Sequence, residues 1–495
     1  MSKRISQGEL ETYLWGAATL LRGTIDAGEY KAFIFPLLFL KRLSDVYDEE
    51  FELALKDSKG DKEYAALPEQ HRFQVPAGAH WSDLRATATD VGKAITKAAR
   101  EIERANPRLA GVFGDANWTN KERLSDSVLR DLVEHYSGIT LSIESVPEDE
   151  LGIAYEFLIK KFADDSGHTA AEFYTNRTLV HLMTRMLQIK PGDSVYDPTC
   201  GSGGMLLSAA DEVRRQGKEH RTLKLYGQEL NLTTSAIARM NLFLHGIEDF
   251  DIVRGDTLVN PAFQSNDKLR TFDVVLANPP YSIKSWDRAA WQSDKWGRNQ
   301  FGTPPQGRAD YAFWQHIMSS MDPETGRCAI LFPHGVLFRD EEREMRKKMV
   351  EADVIEAVLG LGPNLFYNSP MEACVIICQS SKPKSRRRKV LFINAVDEVT
   401  RQQAQSFLAE KHIDKILNAY SSFAFEEGFA SVASIEQILA NDGNLNIVTY
   451  VKKVSAVSDS MDLATSLKNW QSSSSELRKS ANELFALLDS RGRKK

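Results

Sequence analysis

The sequence predicts an α/β protein: a doubly wound, mostly parallel sheet, with a helical domain before it and a helical tail after it. Three observations carry this. From about residue 150, apolar runs that suit buried strands alternate with helix-length segments, the pattern of a parallel sheet covered by helices on both faces. Before that point, apolar residues recur at helical spacing. In the last forty residues, a polar stretch rich in Ser, Lys and Glu carries apolar residues on an alternating four-three spacing, which marks a seam for another helix. These changes of pattern divide the chain into 1–145 (helical domain), 146–455 (α/β domain) and 456–495 (helical tail).

In the first division, "GELETYLWGAATLLRG" and "EYKAFIFPLLFLKRLSDVYDEEFELAL" are amphipathic helices. An irregular Pro/Gly segment, "HRFQVPAGAHWSDLR", separates them from further helical sequence through "AITKAAREIERAN". Nothing here suggests catalysis, and the region reads as a helical accessory domain.

In the second division, "DSVYD", "LKLYGQE", "DFDIVRGD", "FDVVLANPP", "RCAILFPH", "VIEAVLGL" and "EACVIICQS" are strands. The last two are joined without room for a crossover helix, so one antiparallel strand is expected at the edge. The basic run "KPKSRRRK" at 382 to 389 lies between "EACVIICQS" and "VLFINAV" and reads as a solvated hairpin turn, with a local DNA grip as the alternative. Cys374 and Cys378 fall on one face of a buried strand and suit core packing better than a metal site. In the tail the seam runs Leu463, Leu467, Trp470, Leu477, Ala481, Leu484, Leu488. Its spacing leaves open whether the partner is this chain or another.

The chemistry begins where strands end. "SVYDPTCGSGGML" puts Asp197, Gly201, Ser202, Gly203 and Gly204 between a strand and a helix, where missing side chains let backbone approach a ligand. The spacing is not that of a dinucleotide-binding turn, and no G-x-x-x-x-G-K-[ST] phosphate loop is found. The next two strands end in Glu229, able to accept from ribose hydroxyls, and Asp256, able to accept from an adenine amino group. Either acid alone is equally a helix cap or a surface charge. A glycine turn and two acids on consecutive strand ends describe a nucleoside pocket. A fourth strand, "VVLA", runs into Asn278-Pro279-Pro280-Tyr281. Two prolines cannot continue a ladder, and they present Asn278 and Tyr281 rigidly in the crevice outside the strand ends.

In order and spacing these motifs resemble the amino-group DNA methyltransferases that use S-adenosylmethionine. "AAEFYTNRTLVHLM" resembles the segment that precedes the glycine turn in the adenine-N6 branch. "LWGAATLLRGTIDAGEYKAFIFPLLFLKRLSD" and "GRADYAFWQHIM" resemble the modification subunit of type I restriction-modification systems. Together the matches cover most of residues 8 to 380. The resemblance implies the S-adenosylmethionine-dependent methyltransferase fold, with Glu172, Phe173, Tyr174, Thr175, Asn176 and Arg177 as further cofactor contacts. Asn176 stands where the family often has proline. The family also offers Phe366, in "GPNLFYNSP", as a second aromatic against a flipped-out base beside Tyr281.

The implied chemistry explains the prolines. An exocyclic amine is a poor nucleophile because its lone pair is delocalised into the ring. Asn278 Oδ1 and the Pro279 carbonyl can accept its two N–H groups and draw the lone pair out. The base must leave the duplex to be reached, and Tyr281 is placed to stack on it. Without a Pro-Cys pair, C5-cytosine chemistry is set aside. N4-cytosine methylation, protein glutamine methylation and a catalytically silent assembly subunit remain as alternatives.

Composition bounds the partners. A net charge of −6 argues against a chain that grips double-stranded DNA over its whole surface. Only about 85 residues separate Tyr281 from Phe366, leaving no room for a large target-recognition domain. The resemblance implies a separate specificity subunit that docks two copies of this chain, and a third, restriction and translocase subunit. The longest apolar run, "FIFPLLFL", is far short of the roughly 20 residues a membrane span needs. The first residues lack an apolar signal core. No membrane association and a cytoplasmic location are the expectations.

Overall fold

A computed structural model describes residues 5–165, 175–365, 372–402, 405–452 and 463–492. The chain divides into two compact units, 1–451 and 452–495.

The first unit opens with helices α1 (Gln7–Leu21), α2 (Lys31–Asp57), α3 (Val91–Ala105), α4 (Asp126–Ser137) and α5 (Glu148–Asp165). Their apolar faces converge on one core that includes Leu14, Phe35, Phe39, Ile95, Leu132, Tyr155 and Phe162. α1 begins with a reciprocal cap, in which the Ser6 N–H donates to Glu9 Oε2 at 3.0 Å. The segment 71–85, irregular in sequence, contributes Val75, Trp81 and Leu84 to that core.

After α6 (Arg177–Met186) come β1 (Ser194–Asp197), α7 (Gly204–Arg215), β2 (Lys224–Glu229), α8 (Leu232–Leu244), β3 (Phe250–Arg254) and β4 (Val274–Ala277). They are followed by α9 (Asp310–Ser319), β5 (Arg327–Pro333), α10 (Arg343–Glu351), β6 (Ile355–Leu361), β7 (Ala373–Gln379), β8 (Lys389–Ala395), α11 (Glu410–Ser422) and β9 (Ala430–Ser434). The nine strands form one sheet in the order β9-β8-β6-β7-β5-β4-β1-β2-β3. One face is covered by α6, α7 and α11, whose Leu179, Leu206 and Ile416 pack with alternate strand residues such as Val195 and Leu276. The other face is covered by α9 and α10, through Trp314 and Met349 against Val275 and Ile330. α8 serves both cores: Ala238 and Leu242 face the sheet, while Ile237, Met240 and Phe243 face the N-terminal helices.

Two expectations need correction. β7 is antiparallel but not at the edge, since it pairs with both β5 and β6. Its continuous apolar run, buried on both faces, suits an interior position as well as a covered edge, and does not say which strands flank it. The run 382 to 389 is not a hairpin turn, because β8 pairs with β6 and β9, not with β7. Three of its cations are paired within the fold: Lys382 Nζ lies 2.7 Å from Asp353 and Arg386 3.1 Å from the buried Glu356, while Arg388 pairs with Glu436. Cys374 and Cys378 are buried, and both belong to the α9 and α10 side of the core. β9 has no counterpart among the strands expected from sequence.

The second unit is the helix α12 (Leu463–Gly492), on which Leu467, Trp470, Leu477, Leu484 and Phe485 are exposed. The seam positions Leu463 and Leu488 lie outside the described side chains. No helix among the described residues is long and apolar enough to cross a membrane.

Candidate functional site

β1 pairs in parallel with β2 on one side and β4 on the other, with Asp197 level with Gly227 and Tyr196 level with Val275. The chain leaves β1 towards β2 and returns to β4 on the opposite side, so a crevice opens beyond the strand ends.

The glycine turn leaves β1 at Asp197, whose buried carboxylate accepts from the Thr199 N–H at 3.0 Å. Burial pushes this carboxyl up to about 8, and the nearby Glu229 adds to the shift. Gly201 (φ 53°) and Gly203 (φ 79°) adopt left-handed backbone, which other residues take only with strain. Gly203 leads into α7 against α8, where a Cβ would lie 3.5 Å from Ala238. Ser202 O accepts from Asn241 Nδ2 of α8 at 3.0 Å.

Glu229, ending β2, uses both oxygens: Oε2 accepts from the Gly201 N–H at 3.0 Å and Oε1 from the Asn231 N–H at 2.8 Å. It therefore stiffens the glycine turn from the end of the next strand. Asp256, after β3, accepts from the Leu258 and Val259 N–H groups at 2.9 and 3.1 Å and shapes its own loop. Thr257 Oγ1 ties that loop to Pro198 O at 2.5 Å.

Asn278 is held from two sides. Its Nδ2 donates to Thr175 Oγ1 at 2.9 Å, and its Oδ1 accepts from the Tyr281 hydroxyl at 2.5 Å. The amide is thus oriented with its oxygen towards Tyr281. Pro279 is buried and Pro280 half-buried. Asn176 caps α6 through Oδ1, which accepts from the Thr178 N–H at 3.0 Å, while its Nδ2 reaches Ser406 O at 2.9 Å. Proline could make neither bond.

Thr175, Arg177, Asp197, Gly201, Ser202, Gly204 and Asn278 line a single cleft. Glu229 adjoins it through Gly201, and Asp256 stands at the next strand end, outside that lining. Glu172, Phe173, Tyr174 and Phe366 lie outside the described residues.

Several residues were missed from sequence. Glu156 and Ile159 of α5 also line the cleft. Leu230 and Val259, 63% and 49% exposed, follow the two acidic strand ends closely. An exposed apolar side chain beside a hydrogen-bonding acid is what a purine face and edge require, and that adjacency was legible. Arg298 is fully buried, donating to Thr257 O (2.9 Å), Leu258 O (2.7 Å) and Asp294 Oδ1 (2.6 Å). Its guanidinium lies 4.6 and 4.8 Å from the Trp291 and Trp296 rings, so it clamps the loop after Asp256. Asp310, at the start of α9, accepts from the Ser282 N–H at 2.8 Å and pairs with Arg339 at 2.6 Å.

The family model for N-6 DNA methylases matches residues 146–459, and that for the HsdM N-terminal domain matches residues 10–136. The type I restriction enzyme MjaVII methylase subunit of Methanocaldococcus jannaschii is 30% identical over 493 residues, covering 95% of this chain and 82% of the relative. The HindI methylase subunit of Haemophilus influenzae is 29% identical, covering 80% of this chain and 94% of the relative. A crystal structure of the type I restriction-modification methyltransferase subunit from Streptococcus thermophilus superposes with a TM-score of 0.78 at 31% identity. It covers 90% of this chain and all of that one.

Proposed function

We propose, since the chain belongs to the N-6 DNA methylase family and is an adenine DNA methyltransferase of the type I modification kind, that it methylates adenine N6 in double-stranded DNA with S-adenosylmethionine as donor. A separate specificity subunit chooses the target and assembles two copies of this chain, and a restriction and translocase subunit completes the complex. The helical division 1–145 and the tail 456–495 flank the catalytic division 146–455, and the complex works in the cytoplasm.

The observation that carries this reading is Asn278, oriented between Thr175 and Tyr281 on the rim of a cleft that also holds a glycine turn. The residues suit the donor. Glu229 can accept from ribose hydroxyls, Asp256 from the adenine amino group, and Leu230 and Val259 can cover the purine faces. The N-terminus of α6, with Thr175, Asn176 and Arg177, suits a carboxylate. The stretch Glu172 to Tyr174 precedes it. When bound, S-adenosylmethionine supplies an electrophilic methyl group on a sulfonium.

Asn278 Oδ1 and the Pro279 carbonyl accept the N–H groups of the flipped adenine. Pro279 and Pro280 hold both acceptors still, so the amine lone pair is drawn out of the ring when the methyl is in line. One lone pair of Asn278 Oδ1 is engaged by the Tyr281 hydroxyl, and the second remains for the amine. Burial keeps the Tyr281 hydroxyl protonated, so it donates throughout. Its ring, with Phe366 as a second aromatic, stacks on the extruded base. The test is mass spectrometry of nucleosides from DNA treated with the chain plus its specificity subunit. N6-methyladenine should form with wild type and not with Asn278→Ala. N4-methylcytosine as the product would replace adenine as the target, and no methylated base with either chain would refute the reading.

A further inference from the structure

The cleft has one wall that no strand end or glycine turn supplies. α5 packs its Leu151, Tyr155, Leu158 and Phe162 into the N-terminal helical core. Its neighbouring edge carries Glu156 and Ile159 into the cleft. Glu156 forms an ion pair with Arg177, the first residue of α6, which lines the same cleft.

The position of Glu156 is set by α8. Tyr155 Oη donates to Ile237 O at 3.2 Å, and one turn earlier Gly152 leaves space for the His245 ring. A Cβ on residue 152 would lie only 2.5 to 2.7 Å from three ring atoms, so α5 can approach this closely only at a glycine. His245 Nδ1 meets Asn241 O at 2.8 Å and Nε2 lies 3.8 Å from Glu156. Burial depresses this imidazole to about 4, so it is neutral near pH 7 and leaves Arg177 as the cation facing Glu156. Asn241 in turn holds Ser202 O of the glycine turn. Helix α5, the turn and α6 are thereby locked around one carboxylate and one guanidinium.

A facing carboxylate and guanidinium in a ligand cleft are the complement of an amino-acid zwitterion, and the donor proposed above ends in one. We propose that Glu156 receives the α-ammonium of S-adenosylmethionine while Arg177 and the α6 N-terminus receive its α-carboxylate. In the free protein the two side chains neutralise each other, and a zwitterion inserted between them replaces each partner by a like charge. Burial holds the Asp197 carboxyl largely protonated near neutral pH, which leaves Glu156 the better-suited anion in this wall. The helical domain thus contributes a cofactor-binding side chain rather than only a scaffold. The assignment rests on the reading of the cleft as the S-adenosylmethionine site.

The test is a thermodynamic cycle by calorimetry on the full chain. The ligands are S-adenosylmethionine and its 2-oxo analogue, which keeps nucleoside, sulfonium and carboxylate but has a carbonyl in place of the ammonium-bearing carbon. Glu156→Gln, nearly isosteric, should weaken S-adenosylmethionine about ten- to a hundredfold, the range for a charge-assisted hydrogen bond. It should not weaken the oxo analogue, whose carboxylate then meets an Arg177 relieved of its anionic partner. An equal loss for both ligands would make Glu156 merely structural, and no loss for either would remove it from the site; each overturns the inference while the cleft reading stands. Failure of the wild type to bind S-adenosylmethionine would instead overturn the cleft reading itself.

Discussion

Asp310 offers a sharp test of how the catalytic turn is held. Its side chain is fully buried, with one oxygen on the Ser282 N–H at 2.8 Å and the other on Arg339 at 2.6 Å. Ser282 follows Tyr281 directly and has φ 51°, a left-handed conformation that costs a non-glycine residue roughly 1–2 kcal/mol. The Asp310 carboxylate offsets that strain and fixes where the turn begines to leave the crevice. Asp310→Ala removes one member of a buried ion pair, a change worth about 3–5 kcal/mol in stability. It also frees a turn whose displacement by ~1 Å can slow the chemistry by about a hundredfold. Asp310→Asn retains an acceptor for the Ser282 N–H and should cost less, about 1–3 kcal/mol. Adding Ser282→Gly to Asp310→Asn should restore part of the rate, because glycine takes positive φ freely. The assays are urea unfolding of the full chain and single-turnover methyl transfer in the assembled complex, with S-adenosylmethionine affinity as a control that should move little. Wild-type stability and wild-type turnover in Asp310→Ala would refute the reasoning.

Asn278→Ala should abolish methyl transfer with cofactor affinity largely retained, checked by single-turnover assay beside calorimetry; near-normal turnover would remove Asn278 from the chemistry. Glu229→Ala should do the reverse, weakening S-adenosylmethionine by about 1–3 kcal/mol, since the glycine turn also loses its bond to Gly201; unchanged affinity would exclude Glu229. His245 is held at about 4 by burial, below its ordinary 6.5. As pH falls below 6.5 the unfolded chain takes up the proton first, so wild type should lose up to about 3 kcal/mol between pH 6.5 and 4. In His245→Gln that part of the loss should vanish in urea titrations across this range, and an unchanged pH slope would show that His245 is not the group responsible. Truncation near Ser458 should leave a folded chain that binds S-adenosylmethionine but does not assemble with the specificity subunit. Co-purification of the truncated chain with that subunit would place the docking surface elsewhere.

The inner strands β4 to β8 are legible because a strand buried on both faces must be a short apolar run, whereas "LKLYGQE" and "DFDIVRGD" keep exposed polar residues and are marked by the acids that end them. The glycine turn, Glu229, Asp256 and Asn278-Pro279-Pro280-Tyr281 are legible for a related reason: each is a local departure from its strand or helix, made of residues whose backbone geometry or hydrogen-bonding capacity is distinctive in any context. What tertiary structure alone decided are the relations between elements distant in sequence. An apolar run does not state its neighbours, so β7 could be known as buried but not as lying between β5 and β6. A basic run does not state whether acids await it: Asp353 comes from the turn before β6, Glu356 from β6 itself and Glu436 from just beyond β9. The bonds from Asn278 to Thr175 and from Asn176 to Ser406 span 103 and 230 residues. Glu156, Asp310 and Arg298 look like ordinary charges on helices or loops until packing sets them against Arg177, Ser282 and Thr257. Local sequence determines burial and turn geometry, whereas the partner of a buried charge is determined by which surfaces the whole chain brings together.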